Sequence, residues 1–275
     1  MLGSLDSAIS ALDQFQQGLN VTANNIANVN TVGFKAATVN FADTFSQVLG
    51  NTVSAGPLQV GTGVTTSSIS SDFSTGAITA ANSPNDLAIN GPGFFTVKDP
   101  TTGATYATQD GTFKVDQNGY LVTSNGMQVQ GYSDAGLTTL GPIKIDNAGA
   151  PGGDTSAVSG YTIGSHGEVN VELADGTTSF TRGQILLQNY SSPQNLINVG
   201  NNQYANLAAA NPLAAPVAPG TSNLGSISSG QLEGSNVDLA GQLASLIVTQ
   251  RGYEANAKVI STTDQILQDT NNLKQ

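Results

Sequence analysis

The chain is 275 residues long, with 10% charged side chains, a net charge of −11 and no cysteine. These values exclude disulfides, thiolate nucleophiles and zinc–thiolate sites. With 19 acids scattered against 8 bases there is no basic patch to neutralise phosphates, so nucleic acid is not an expected partner. Abundant Gly, Ser, Thr, Asn and Gln suit a β-rich extracellular or assembly protein better than a cytosolic enzyme. No apolar run reaches the roughly 20 residues of a membrane span. The start, MLGSLDSAISALDQFQQ, has neither a basic n-region nor an unbroken h-region, so no Sec-type signal peptide is expected.

The first element, within residues 1–45, is predicted to be a helix. Leu5, Leu12, Leu19 and Ile26 recur every seven residues, with Leu2, Ile9 and Ala23 on the partner seam and Gln16 as its polar interruption. Such an a/d heptad marks a helix laid against other helices. Asn24, Asn25, Asn28 and Asn30 crowd its end, although asparagine favours caps and turns over helix interiors. Because Ala23 and Ile26 hold the seam, Asn24, Asn25 and Asn28 are expected on other faces, wet in a monomer and meeting neighbouring subunits in an assembly. Asn30 and Gly33 are expected to end the helix, with Phe34 as an apolar anchor.

Residues 46–85 are rich in Gly, Ser and Thr and read as an extended connector. Between 86 and 190 short β-branched and aromatic runs follow one another, as in GFFTVKD and YTIGSHGEVNVELADG. They are punctuated at Asp110-Gly111, Asn118-Gly119, Asn125-Gly126 and Asp175-Gly176, the pairs that signal type I′ hairpins. This is the pattern of an antiparallel β-rich domain. A second connector is expected over 191–234. Ser235-Asn-Val-Asp238 then reads as a capping box with Ser235 as N-cap. A last helix within 235–275 repeats Leu239, Leu246, Tyr253, Ile260 and Leu267 every seven residues, with Leu243 and Ala257 beside them. The expected fold class is therefore α+β: coiled-coil-like terminal helices that pair, an inserted antiparallel β domain, and extended connectors.

No catalytic, cofactor-binding or metal-binding set is found, and no cofactor is expected. His166, the one histidine, sits in a glycine-flanked turn with no nucleophile to serve. Glu168 and Glu172 fall on one face of a strand, as a glycosidase pair would, but the chain has no tryptophan to line a sugar cleft. GPG at 91–93 and GTG at 61–63 lack phosphate-loop spacing. Asp116 to Gly119 matches only the opening of a calcium loop.

Apolar seams four heptads long need covering. Either the two helices form a closed stalk, or they pack against copies of themselves, and a head-to-tail contact that does not close makes a filament. The second option names Leu5, Ile9, Leu12, Leu19, Asn24, Asn25, Ile26, Asn28, Gly33 and Phe34 as interface residues on the first helix and its exit. On the last helix it names Leu239, Leu243, Leu246, Tyr253, Ile260 and Leu267. The first option leaves a secreted β-rich carbohydrate-binding protein as the rival.

ANNIANVNTVGFK (23–35) closely resembles the signature of the bacterial flagellar axial proteins of the rod and hook. NDLAINGPGFFTVKD (85–99), YATQDGTFKVDQNGYLVTSNGMQVQGY (106–132) and LEGSNVDLAGQLASLIVTQRGYEANAKVISTTDQILQ (232–268) resemble further motifs of that family, in its order. The resemblance implies a non-enzymatic subunit that polymerises helically, its helices forming an inner tube and its β domain an outer layer. It implies transit through the flagellar type III export apparatus without a cleavable signal, and residence in the hook or basal body. Its implied partners are itself and other axial proteins of rod, hook, hook junction and cap, with no small-molecule substrate. VNFADTF, SSDFSTGAI and LEGSNVDLA favour a short hook protein; LQVGTGV and QRGYEANAKVISTTDQIL are equally at home in the distal rod, the alternative.

Overall fold

A computed structural model describes residues 2–52, 56–153, 155–176, 178–213, 215–221 and 223–273. The chain folds as two compact units, each built from segments distant in sequence. Two long helices and a large antiparallel sheet make the class α+β.

The first unit takes Met1–Val29, Ala36–Asp72 and Val237–Gln275. Its first helix, α1, spans Leu2–Ala27. At its end the Asn24 carbonyl accepts twice from Asn28, from the backbone N–H at 3.1 Å and from the side-chain Nδ2 at 2.9 Å. The last helix, α2, spans Leu239–Asn272. Its N-cap is Asp238, whose carboxylate accepts from the Ala240 N–H at 3.1 Å, and not Ser235 as expected. Just upstream, residues 235–236 carry no helical turn, and the Asn236 side chain donates to Ser74 Oγ at 3.2 Å.

Between α1 and α2 in sequence, the same unit carries two antiparallel ribbons. Strand β1 (Ala37–Asp43) pairs with β4 (Val64–Ser71), and β2 (Ser46–Thr52) pairs with β3 (Gly56–Gly61). The helix expected within 1–45 therefore gives way to strand after the turn at 28–33, and 46–52, 56–61 and 64–71 are paired strand where an open connector is expected. Thr, Val and Ser at alternate positions satisfy a strand whose side chains are only half-buried, which their polar composition disguised. Polar contacts join α1 to this ribbon, among them Thr66 Oγ1 to Gln17 Oε1 at 2.9 Å.

The second unit takes Asn30–Lys35 and Phe73–Asn236. Its main sheet runs, in spatial order, through Val158–Ile163, Glu168–Leu173, Ser179–Ile185, Gln128–Tyr132, Phe94–Lys98, Thr105–Thr108, Gln203–Ala205 and Ile197–Gly200. The last two of these, with Ser226–Ser229 and Gln231–Glu233, lie where 191–234 was expected to be a connector. The strand Phe94–Lys98 shows how the sheet builds two cores. Successive side chains point to opposite faces. Phe95 and Val97 enter the large core with Leu87, Leu121, Val129 and Val171, all fully buried. Phe94 enters a smaller aromatic core, edge-on to Tyr190 at 5.4 Å and Phe73 at 5.4 Å. Burial pushes the Tyr190 and Tyr204 hydroxyls up to about 12.

Three of the four punctuating pairs make the expected hairpins: glycines 119, 126 and 176 have φ of 85°, 80° and 72°. Their Asn or Asp partners keep negative φ, so the turns are not type I′. Asp110-Gly111 joins no hairpin. The Asp110 carboxylate accepts from Thr112 N and Oγ1 at 2.9 and 2.7 Å, and the glycine lies against the Leu87 backbone.

Asp146 links Arg182 (2.5 Å) and Lys144 (3.2 Å) on this unit's surface. Burial opposes its ionisation, but the Arg182 and Lys144 contacts outweigh that and hold its carboxyl below the usual carboxylate range. A depressed folded-state value stabilises above the unfolded value, about 3.9, and that stability is lost as pH falls through the folded one. Unfolding midpoints of wild type and Asp146→Asn should therefore differ at neutral pH and converge below about pH 4. Parallel curves down to pH 2 would remove the ion pair from the account.

Candidate assembly surface

The helical pair is built from its inner face outward. Gly252 and Gly18 let α1 and α2 approach: a Cβ at Gly252 would lie 2.9 Å from the Phe15 ring, and one at Gly18 would lie 3.5 Å from Thr249. Further along, Asn25 Nδ2 donates to Gln242 Oε1 at 3.1 Å. Rising numbers on α1 meet falling numbers on α2, so the helices are antiparallel.

The fully buried positions of α1 are Ala8, Gly18, Thr22 and Asn25. On α2 only Thr263 is fully buried, and Gln242, Leu246, Thr249, Gly252, Asn256 and Ile260 are half-buried. The face on which these helices meet is thus small and polar. The two apolar heptads do not zip into each other. Leu5, Leu12, Leu19 and Ile26 remain half-exposed along α1, and Ile9 is 45% exposed. Leu239, Leu243, Tyr253 and Leu267 are exposed on α2; only Leu246 and Ile260 of the expected set turn partly inward. The heptad reading missed Ile247, Val248, Val259 and Ile266, which are also exposed and extend the apolar surface; Val248 reaches 71%. Their signal was present in the sequence as apolar residues off the seven-residue register.

The asparagines divide differently from the expectation. Asn25 is 1% exposed, and its amide is committed inside the unit. Nδ2 donates to the Ala37 carbonyl at 2.8 Å and Oδ1 accepts from the Ala37 N–H at 3.0 Å. Asn25 therefore pins α1, β1 and α2 together and does not face solvent. Asn28 bonds locally to Asn24, whose own position is exposed. Gly33, at φ 67°, turns the chain where a Cβ would meet the Asp110 backbone at 2.9 Å, and Phe34 is buried beside it.

Elsewhere the polar groups do structural work. His166 Nδ1 lies 3.0 Å from the Pro219 carbonyl. Glu168 and Glu172 stand on the outer face of a strand whose Val169, Val171 and Leu173 point into the core. Among the described residues no group of three or more His, Cys, Asp or Glu could hold a metal ion, and no helix is long and apolar enough to cross a membrane.

Three family models match the chain: "Flagella basal body rod protein" over 5–35, "Flagellar hook protein FlgE/F/G D1 domain" over 88–171, and "Flagellar basal body rod FlgEFG protein C-terminal" over 228–273. The chain is 38% identical to the flagellar basal-body rod protein FlgG of Bacillus subtilis over 282 positions, covering all of both proteins. It is 36% identical to FlgG of Caulobacter vibrioides, covering 98% of this chain and 99% of that one. Similarity to the flagellar hook protein FlgE of Borreliella burgdorferi is 27% over 443 positions, again covering both.

Proposed function

This chain belongs to the flagellar basal-body rod and hook protein family, and from that premise we propose that it is a structural, non-enzymatic subunit of the distal rod. It polymerises head to tail with itself, joins other axial proteins, and transmits torque. The observation that carries this reading is the apolar surface on both helices that the antiparallel pair leaves open. A helix stripe of this length is stable in water only when covered. The polar face between α1 and α2 frees the apolar faces for other copies. The rod relatives, matching end to end at nearly equal length, support rod over the hook favoured by VNFADTF and SSDFSTGAI. Those segments fall in ribbon and strand-flanking positions that do not by themselves separate the two.

Leu243 gives the direct test, because it is 46% exposed and outside the α1-facing side, whereas Leu246 is half-buried. Leu243→Asp should leave monomer stability within about 0.5 kcal/mol. The same variant should abolish sedimentable polymer and fail to restore swimming to cells lacking the wild-type chain. Normal polymer from this variant would mean that the α2 surface is not an interface.

A further inference from the structure

Phe45 lies in the short link between β1 and β2, and nothing in the folding of its own unit explains it. The residue is 95% exposed. Its backbone is nonetheless fixed from both sides. Thr44 N donates to the Gly63 carbonyl at 3.0 Å, Thr44 Oγ1 does so at 3.0 Å, and Thr62 Oγ1 donates to the Phe45 carbonyl at 2.5 Å. An aromatic ring held on an ordered backbone loses little freedom when it is buried, and offers about 150–250 Å² of surface.

The same unit contains a matching hollow. Where α1, β1 and α2 meet, a cleft of about 270 Å³ is lined by Gly18, Val21, Val39, Phe41, Ser245 and Thr249, among others, none of them charged. Gly18 keeps its floor low. Phe41 stands at the wall, 46% exposed and 6.5 Å from Phe15 in an edge-on pair, with ring surface left to receive another aromatic. Phe45, at 95% exposure, does not fill the cleft of its own chain.

We propose that Phe45 of one copy of this chain seats in the α1–β1–α2 cleft of a second copy. A second copy is the occupant because the uncharged lining suits an apolar ring, and each chain carries both a presented ring and an unfilled cleft. Knob and cleft occupy different patches, so each contact leaves a free knob at one end and a free cleft at the other, and addition is open-ended. One aromatic supplies far less than the roughly 1,200 Å² of a stable interface. Phe45 therefore sets the register of subunits whose holding area comes from the helices. The inference rests on the self-assembling reading given above.

Two variants and one cross-linker test it on the full chain. Phe45→Ser removes the knob, and Ser245→Trp fills the cleft from an exposed helix position. Each should melt as the wild-type monomer does, while raising the critical concentration for polymer about tenfold or more, the scale of losing one buried aromatic. Phe45→p-benzoylphenylalanine, irradiated in a mixture of isotopically light and heavy chains, should cross-link between chains to peptides containing Gly18–Thr22, Thr38–Phe41 or Ser245–Thr249. Unchanged critical concentrations, or cross-links mapping elsewhere, would overturn the knob while leaving self-assembly intact. A wild-type chain that never assembles would overturn both.

Discussion

Replacing Lys35 by methionine will destabilise the β unit by about 3–5 kcal/mol, because it leaves a buried carboxylate without its counter-charge. Lys35 Nζ lies 2.7 Å from Glu233 Oε1, and both side chains are 1% exposed. Each member of the pair makes a further hydrogen bond. Lys35 donates to the Ser74 carbonyl at 2.8 Å, and Glu233 Oε1 accepts from Gly76 N at 2.7 Å. Taking two charges out of water is costly, so the pair itself adds little net stability; breaking it is what costs. The double variant Lys35→Met, Glu233→Gln keeps an acceptor for Gly76 N and removes both charges. It should recover most of the loss. Urea unfolding of both variants, followed by tyrosine fluorescence, checks this, and equal loss in single and double variants would refute the ion-pair explanation.

Asn25→Leu should cost the helical unit about 2–4 kcal/mol, since it strands the N–H and C=O of Ala37 at a buried site. Leucine keeps the branched heavy-atom skeleton of asparagine but neither donates nor accepts, so the hydrogen bonds are removed with little change in side-chain shape, and its bulkier methyl groups add to the cost. Asn24→Leu, at an exposed position one residue away, should change stability by less than about 0.5 kcal/mol. The measurement is thermal melting of the far-ultraviolet helical signal in dilute monomer. If Asn25→Leu melted like wild type and lost only assembly, the asparagine would belong to a subunit contact after all.

Asn25 also shows where sequence legibility stops. The heptads of Leu5 to Ile26 and Leu239 to Leu267 were readable because period and apolar character coincide, and both helices are present. What periodicity does not say is which face meets which partner. The antiparallel pair uses Gly18, Thr22, Thr249 and Gly252, small residues that carry no hydropathy signal, and the role of Asn25 depends on Ala37, reached only after the chain has turned back. The ribbons at 37–71 were hidden for a related reason. Runs such as VTTSSISS pair with half-exposed neighbours, so they show neither the apolar continuity of a core strand nor a strict alternation. The hairpins at Asn118-Gly119, Asn125-Gly126 and Asp175-Gly176 were legible because turn chemistry is local, whereas Asp110-Gly111 was misread because its glycine answers to the distant Leu87 backbone.

The meeting of the β unit's first and last segments has a consequence for where the chain can lengthen. Gly33 N donates to the Glu233 carbonyl at 2.8 Å, so the unit's short first segment, 30–35, touches its last strand, Gln231–Glu233. Chain length added inside the long segment 73–236, away from this contact, leaves the contact where it is. The hook relative aligns over 443 positions with both chains covered in full, so its extra length falls within the alignment and not beyond its ends. Residues can thus be added inside the β unit with the Gly33–Glu233 contact kept in place.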